Sequence, residues 1–222
     1  FRNHRLVPRY LVDVTTRDQS AELFGRRYAS SFGIAPTGVA SLFRPGADLM
    51  LAEAAAKANI PFIMSGSSTA SIEDLAKVAP EHGWYQMYTA RDKSISEDMI
   101  RRAREAGLST LVVTVDVPVH SNRERNRRNG FSRPLKLTLG TKLDALRHPA
   151  WLAGYLKHGT PMFSNWAPYA SDSTDADVVA NLVASQTAAS LTWKDIENFR
   201  KLWPRKFVLK GTMQVDAAVR AA

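Results

Sequence analysis

The stretch Ser109-Thr-Leu-Val-Val-Thr-Val-Asp-Val-Pro118 decides the fold. Its apolar run is continuous rather than alternating, the pattern of a strand buried on both faces by flanking helices, as in parallel sheets. Asp116 ends the run, and Val117-Pro118 prevents its simple continuation. Working outward, four similar short segments recur: SFGIAP (from Ser31), IPFIMSGS (60–67), GWYQMY (83–88) and KFVLKG (206–211). Each leads into a helical pattern. GADLMLAEAAAKAN repeats Leu49, Ala52, Ala55 and Ala56 at helical spacing, and SIEDLAKVAP opens on a capping-box-like Ser71–Asp74. In SISEDMIRRAREAG, Glu97, Arg101 and Arg104 are expected to face outward, with Gly107 as the C-terminal cap.

Strand–helix alternation five times over means parallel β/α units. Polar residues gather at the strand ends: Pro36 and Thr37, Ser65, Gln86 and Tyr88, Thr114 and Asp116, and Lys210. In a TIM (β/α)₈ barrel those ends form the catalytic face. A closed barrel needs eight strands and about 250 residues, so the expectation is an α/β barrel with about its first five units present. Residues 1–222 are read as one incomplete barrel domain. Residues 1–29 form an entry segment covering the barrel's bottom, and 121–175 a long insertion after the fourth strand. Loops of that length inside a compact domain are usually functional or mobile.

The composition is that of an ordinary globular protein, 45% hydrophobic and 23% charged. Phe1 rather than Met opens the chain, the mark of a processed, cropped or incomplete N-terminus. No apolar run approaches the roughly 18 residues of a spanning helix. The absence of cysteine excludes a disulfide framework and a thiolate zinc site. A net charge of +9 suggests an anionic partner: nucleic acid, a phosphate-bearing cofactor, an acidic substrate or an anionic membrane. Part of the excess is local, in Asn122–Arg128 (NRERNRR). No G-x-G-x-x-G turn, P-loop or G-x-S-x-G occurs, and His4, His82, His120, His148 and His158 show no metal-ligand spacing.

Several residues could carry chemistry. Asp116 either caps the next turn or sets a carboxylate at the mouth, where a neighbouring cation adjusts its proton affinity. Lys210 either pairs with a neighbour or supplies a fixed positive charge to an electron-rich ligand. Gln86 and Tyr88 share one strand face, whereas Tyr85 and Met87 are expected against the surrounding helices. Arg123 follows closely enough to fork a carboxylate over the mouth, while Arg125, Arg127 and Arg128 read as solvated.

In combination these motifs resemble the FMN-dependent α-hydroxy-acid dehydrogenases and oxidases, which include glycolate oxidase, L-lactate dehydrogenase and mandelate dehydrogenase. The carriers are APTG (35–38), MSGSSTASIEDLA (64–76), WYQMY (84–88), TVDVP (114–118) with the arginines after it, and VLKG (208–211). They run in order along essentially the whole chain. The insertion, with RHPAWLAGYLKHGTPMFSNW, is closest to the membrane-associated dehydrogenase branch.

The resemblance implies an FMN cofactor. Ala35, Pro36, Thr37 and Gly38 would lie against the flavin. Ser65, Gln86 and Thr114 would hydrogen-bond its polar edge, and Lys210 would stabilise the negative charge of the reduced ring. Tyr88 and Arg123 would bind substrate, and Asp116 would pair with the catalytic histidine's imidazolium. That histidine belongs to a Ser-Asn-His-Gly-Gly-Arg stretch after the sixth strand, and the sequence contains none. A substrate-contacting tyrosine would likewise precede Phe1. Ser67 stands where some oxidases carry tryptophan, which leaves the accepted substrate size open.

The implied reaction oxidises an L-2-hydroxy acid, lactate- or mandelate-like, to the 2-oxo acid. A hydride equivalent passes to flavin N5 and the electrons go on to a quinone or other carrier. This chain alone, an N-terminal fragment on this reading, is expected to be inactive. The stretch LDALRHPAWLAGYLKHG, within 143–163, is compatible with peripheral contact on the cytoplasmic face of the inner membrane, and a homo-oligomer is expected of the complete enzyme. Two alternatives stand beside this: a non-catalytic half-barrel binding a phosphate ligand, and a basic nucleic-acid-binding protein. The second lacks any recognisable reading motif, so no nucleic acid is expected.

Overall fold

In the computed structural model the Thr110–Thr114 strand lies at the centre of the main sheet, buried along its whole length. The structure describes residues 5–119, 121–131, 138–170 and 175–222. His4, His120 and parts of the entry segment and insertion (1–4, 132–137 and 171–174) lie outside them.

The first regular element among the described residues is an antiparallel hairpin, β1 (Ala21–Leu23) and β2 (Arg26–Tyr28). Then follow α1 (Ala47–Lys57), β3 (Phe62–Met64), α2 (Ile72–Val78), β4 (Gly83–Tyr88), α3 (Lys93–Glu105) and β5 (Thr110–Thr114). Among the described residues of the next stretch come α4 (Glu124–Arg128), α5 (Leu139–Leu146), α6 (Pro149–His158) and α7 (Ala176–Ser185). The chain resumes its rhythm with α8 (Trp193–Leu202), β6 (Lys206–Lys210) and α9 (Val215–Ala221).

Strands β3-β4-β5-β6 pair in parallel and in sequence order. This is the partial barrel that the alternation predicts. The first expected strand, SFGIAP, is reduced to a single parallel bridge between Ile34 and Phe62. The reason is local: Ile34 N donates to Pro61 O and Ile63 N to Ile34 O, but Pro36 has no N–H with which to extend the ladder. Gly33 lies so close to Pro61 that a Cβ there would meet its backbone oxygen at 2.6 Å.

Helices cover the outer face of the sheet. Asp48, Ala52 and Ala55 form the buried stripe of α1, so the tightest packing is one polar residue earlier than the apolar spacing indicates. Asp48 accepts hydrogen bonds from the hydroxyls of Ser41, Ser68 and Thr69, which satisfies a carboxylate that is 2% exposed. Ser71 caps α2 by accepting from Asp74 N, while the complete reciprocal box forms at Thr192 and Asp195 of α8. Gly107 takes up a left-handed conformation (φ +85°) after α3, as its cap position requires. Arg104 departs from expectation: α8 packs beside α3, and the half-buried guanidinium donates to Leu202 O.

The hairpin lies against the N-terminal ends of the strands. Phe24 contacts the Trp84 ring at 5.5 Å, and Arg26 reaches both Glu81 and His82. Trp84 shares the face of Gln86 and Tyr88, so Phe24 of the hairpin sits at the N-terminal end of that face, whereas residues 5–19 are exposed. Burial, and then the Arg26 charge, pushes the His82 imidazole below its ordinary value of 6.5. Its neutral form is therefore favoured by folding, a contribution present above about pH 6.5 and lost as pH falls through the lower folded value. We expect the fall in melting temperature between pH 7.5 and 5.5 to shrink in His82→Gln. An identical fall in both proteins would remove His82 from the account.

Candidate active site

The sheet's register aligns the polar strand ends in one row. Tyr88 pairs with Thr114, and Thr114 with Lys210, across β4, β5 and β6. Even-numbered side chains of β4 point to the sheet interior. Gln86 is fully buried there: its Nε2 donates to Thr114 Oγ1 at 2.9 Å, and its Oε1 accepts from Gly66 N at 3.2 Å. The odd residues face the helices, as expected; the Tyr85 hydroxyl contacts Met99 Sδ of α3, and burial pushes that phenol up.

The strap after β3 carries the next polar group. Ser65 is buried and its Oγ accepts from Ser67 N. Gly38 approaches this strap, where an added Cβ would lie 3.1 Å from Ser67 Cβ, and Val39 N donates to Ser67 O. Ala35 and Thr37 of the same loop are exposed, and Pro36 is half-buried. On the far side Gly211 turns the chain with φ +108°, and an added Cβ would collide with the Asp116 side chain. Glycine at 211 thus gives the Asp116 carboxylate its place beside the Lys210 strand tip. Among the described residues none forms an ion pair with Asp116, Arg123 or Lys210.

A cavity of about 720 Å³ opens over this row. Ser67, Tyr88, Thr114, Asp116 and Arg123 line it, with Phe163, Trp166 and the inner face of α7 supplying an apolar wall. Arg123 caps no helix through its side chain; its Nε donates to Ser121 Oγ. Arg127, read as solvated, is exposed but also lines this cavity, because the short α4 turns it inward one helical turn after Arg123. Of the site residues named from the sequence, the structure brings Tyr88, Thr114, Asp116 and Arg123 to one cavity. Ser65 and Gln86 lie beneath it, Ala35–Gly38 flank the strap, and Lys210 adjoins Thr114. Among the described residues no group of histidine and carboxylate side chains could hold a metal ion.

A set of residues that the sequence reading passed over holds the cavity's wall in place. Segment 163–169 is fastened to the barrel by side chains: Ser164 Oγ to Thr69 O, Asn165 Nδ2 to Ala70 O, and Ile72 N to Asn165 Oδ1. Arg102 of α3 grips both Glu73 oxygens at 2.9 Å and donates to Asn165 O. The only signal for this in the sequence is the run of bulky residues in Met162–Trp166, within a stretch otherwise read as loop.

The match to known proteins covers the chain from end to end. Residues 1–222 fit the model of the FMN-dependent dehydrogenases. The chain belongs to that family. Among similar FMN-dependent dehydrogenases, (S)-mandelate dehydrogenase of Pseudomonas putida is 37% identical over 220 residues, 99% of this chain and 55% of the relative. A putative L-lactate dehydrogenase of Mycobacterium tuberculosis is 38% identical over 221 residues, 98% of this chain and 51% of the relative. The crystal structure of the monotopic membrane protein (S)-mandelate dehydrogenase superposes with a TM-score of 0.91 at 37% identity, covering 97% of this chain and 57% of that one. The chain spans about half the length of the relatives it matches.

Proposed function

We propose that this chain supplies the flavin face and part of the substrate face of an L-2-hydroxy-acid dehydrogenase acting on a lactate- or mandelate-like acid. The observation that carries the reading is the convergence of Tyr88, Thr114, Asp116 and Arg123 on one cavity beside Lys210. FMN, when bound, supplies the two-electron acceptor that turns the substrate's C–OH into C=O. The donor set suits that cofactor's polar edge: a buried amide, two buried hydroxyls and a cation with no ion-pair partner among the described residues.

Each residue then has a task its chemistry suits. Lys210 places a fixed positive charge where negative charge accumulates as the cofactor is reduced. Tyr88 offers a phenol, and Arg123 a forked guanidinium, to the substrate's hydroxyl and carboxylate. Asp116 orients and stabilises an imidazolium supplied from outside these residues, since no Ser-Asn-His-Gly-Gly-Arg stretch occurs among them. Electrons leave for a quinone or another carrier.

We also infer peripheral membrane contact through the insertion. No helix among the described residues is long and apolar enough to cross a membrane. What favours contact is the exposed row Leu139, Leu143 and Leu146 on α5, with Leu156 on α6. The aromatic residues of 143–163 play another part: Trp151 Nε1 donates to Leu42 O and its ring stacks on Tyr155, so both turn toward the protein.

The test is to purify the longest protein that the gene encodes beside the 222-residue chain. The longer form is expected to be yellow and to reduce a dye with L-lactate or (S)-mandelate, and the short chain to show no turnover. A colourless long form would sink the flavin reading, and turnover by the short chain would sink the assignment of the base elsewhere. Liposome flotation with and without 143–163 checks the membrane contact.

A further inference from the structure

Gly66 occupies an unusual position in the strap between β3 and α2. An added Cβ there would meet Gln86 O of the neighbouring strand at 2.9 Å, so no side chain fits. Glycine is also the residue with the widest backbone freedom, so sterics install a soft joint where the site needs a stiff one. Both peptide groups flanking it are nevertheless fixed. Gly66 N donates to Gln86 Oε1, and Gly66 O accepts from Trp166 Nε1 at 2.9 Å.

The consequence passes along the strand ends. An N–H can only donate, so Gly66 N dictates that the Gln86 amide turns its oxygen to the strap and its Nε2 to Thr114. Thr114 Oγ1 then accepts, and its hydroxyl proton has no other acceptor among the described residues. Thr114 lines the cavity, which is where that proton can be offered. If the Gly66 joint swings, the amide is free to flip, and Thr114 loses its fixed polarity.

We propose that Trp166 is a positioning residue for the flavin-facing edge of the site, acting through Gly66 and Gln86 on the direction of the Thr114 hydroxyl. This rests on the FMN-dependent reading above. Trp166 is 4% exposed, and its segment is anchored independently by Ser164 and Asn165, so its N–H is delivered by a framework that does not depend on it. The indole is a donor only, which makes its effect on Gly66 O one-directional.

The experiment compares Trp166→Phe with Tyr169→Phe in the longest protein that the gene encodes. Trp166→Phe keeps an aromatic ring and removes the donor. Tyr169→Phe removes the hydroxyl bonded to Asp98 on the same segment without touching Gly66. Trp166→Phe is expected to speed amide exchange at Gly66 at least tenfold in the FMN-free protein. It is also expected to weaken FMN binding about three- to tenfold, shift the flavin's reduction potential and lower kcat more than it changes KM. Tyr169→Phe should lower thermal stability yet leave FMN affinity and potential at wild-type values. Unchanged Gly66 exchange in Trp166→Phe, or an equal shift of the potential by both variants, would overturn the proposal. Should the wild-type protein bind no FMN, the functional reading fails, and Gly66 exchange still decides whether Trp166 is the clamp.

Discussion

Replacing Lys210 with methionine in the longest protein that the gene encodes is expected to lower the kcat of its flavin-loaded form by about 10²–10³-fold, the usual loss when one preorganised electrostatic stabiliser is removed. Lys210 is the last residue of β6 and pairs in register with Thr114, so its position is set by five consecutive ladder partners rather than by a loop. Its side chain is exposed at the mouth, and none of the described residues neutralises it. Methionine retains the length and packing of the stem but carries no charge. The flavin's midpoint potential should fall, because the reduced, more negative form loses its counter-charge. Stopped-flow reduction and a spectroelectrochemical titration measure the two quantities separately. A wild-type potential in Lys210→Met would assign the lysine to substrate or to nothing.

Arg102→Met is expected to give the largest loss of stability, about 2–3 kcal/mol, or roughly 5–10 °C in melting temperature for a chain of this size. The arginine makes a bidentate pair with Glu73, donates to Asn165 O and sits beside the Tyr169 hydroxyl, which itself donates to Asp98. One side chain thereby joins α2, α3 and the cavity wall. The Arg102 side chain is largely enclosed, but Glu73 is 44% exposed, which keeps the loss well below that for a fully buried pair.

The pH dependence has a definite sign. Hydrogen bonding from Arg102 holds the Glu73 carboxyl below its ordinary 4.5, so its contribution is present above that value and fades as pH falls through the lower folded one. The Tyr169 phenol is pushed up to about 12 by burial and so remains a neutral donor throughout this range. The deficit of Arg102→Met relative to wild type should therefore narrow under acid, in melts followed from pH 7 to 3. A constant deficit would mean that packing of the arginine stem, not the ion pair, accounts for the loss.

The sheet was legible because its strands are short, mostly apolar runs: Leu111–Val113 reads the same way alone and in its sheet. The row of strand-end residues was legible for a related reason. A period of two on β4 sends Gln86 and Tyr88 to one face whatever surrounds them, and parallel register then aligns Tyr88, Thr114 and Lys210. The strand at Ile34 was overread, since its apolar pattern does not reveal that Gly33 must touch Pro61 or that Pro36 stops the ladder. The cavity wall was not legible at all. Asn165 and Trp166 find their partners at Ile72 and Gly66, about a hundred positions earlier, and no periodicity encodes a contact of that span. Asp48 was hidden differently: an acidic residue on an alanine-rich helix looks solvated until Ser41, Ser68 and Thr69 are seen to surround it.

The order of the sheet has a kinetic side. Strands β4 and β5 each pair with the strand just before them, across one helix, so β3 to β5 can assemble as a local unit. The next strand, β6, meets β5 only across the longer connection that holds α4 to α8, so its pairing is expected to form later. Closing that longer loop costs little at equilibrium, since each doubling of length adds only about 0.6 kcal/mol. It does place Lys210 last in line. The site's cation would arrive only after Thr114, Gln86 and their strap have been assembled, so the capacity to hold the cofactor should mature later than the helical signal during refolding.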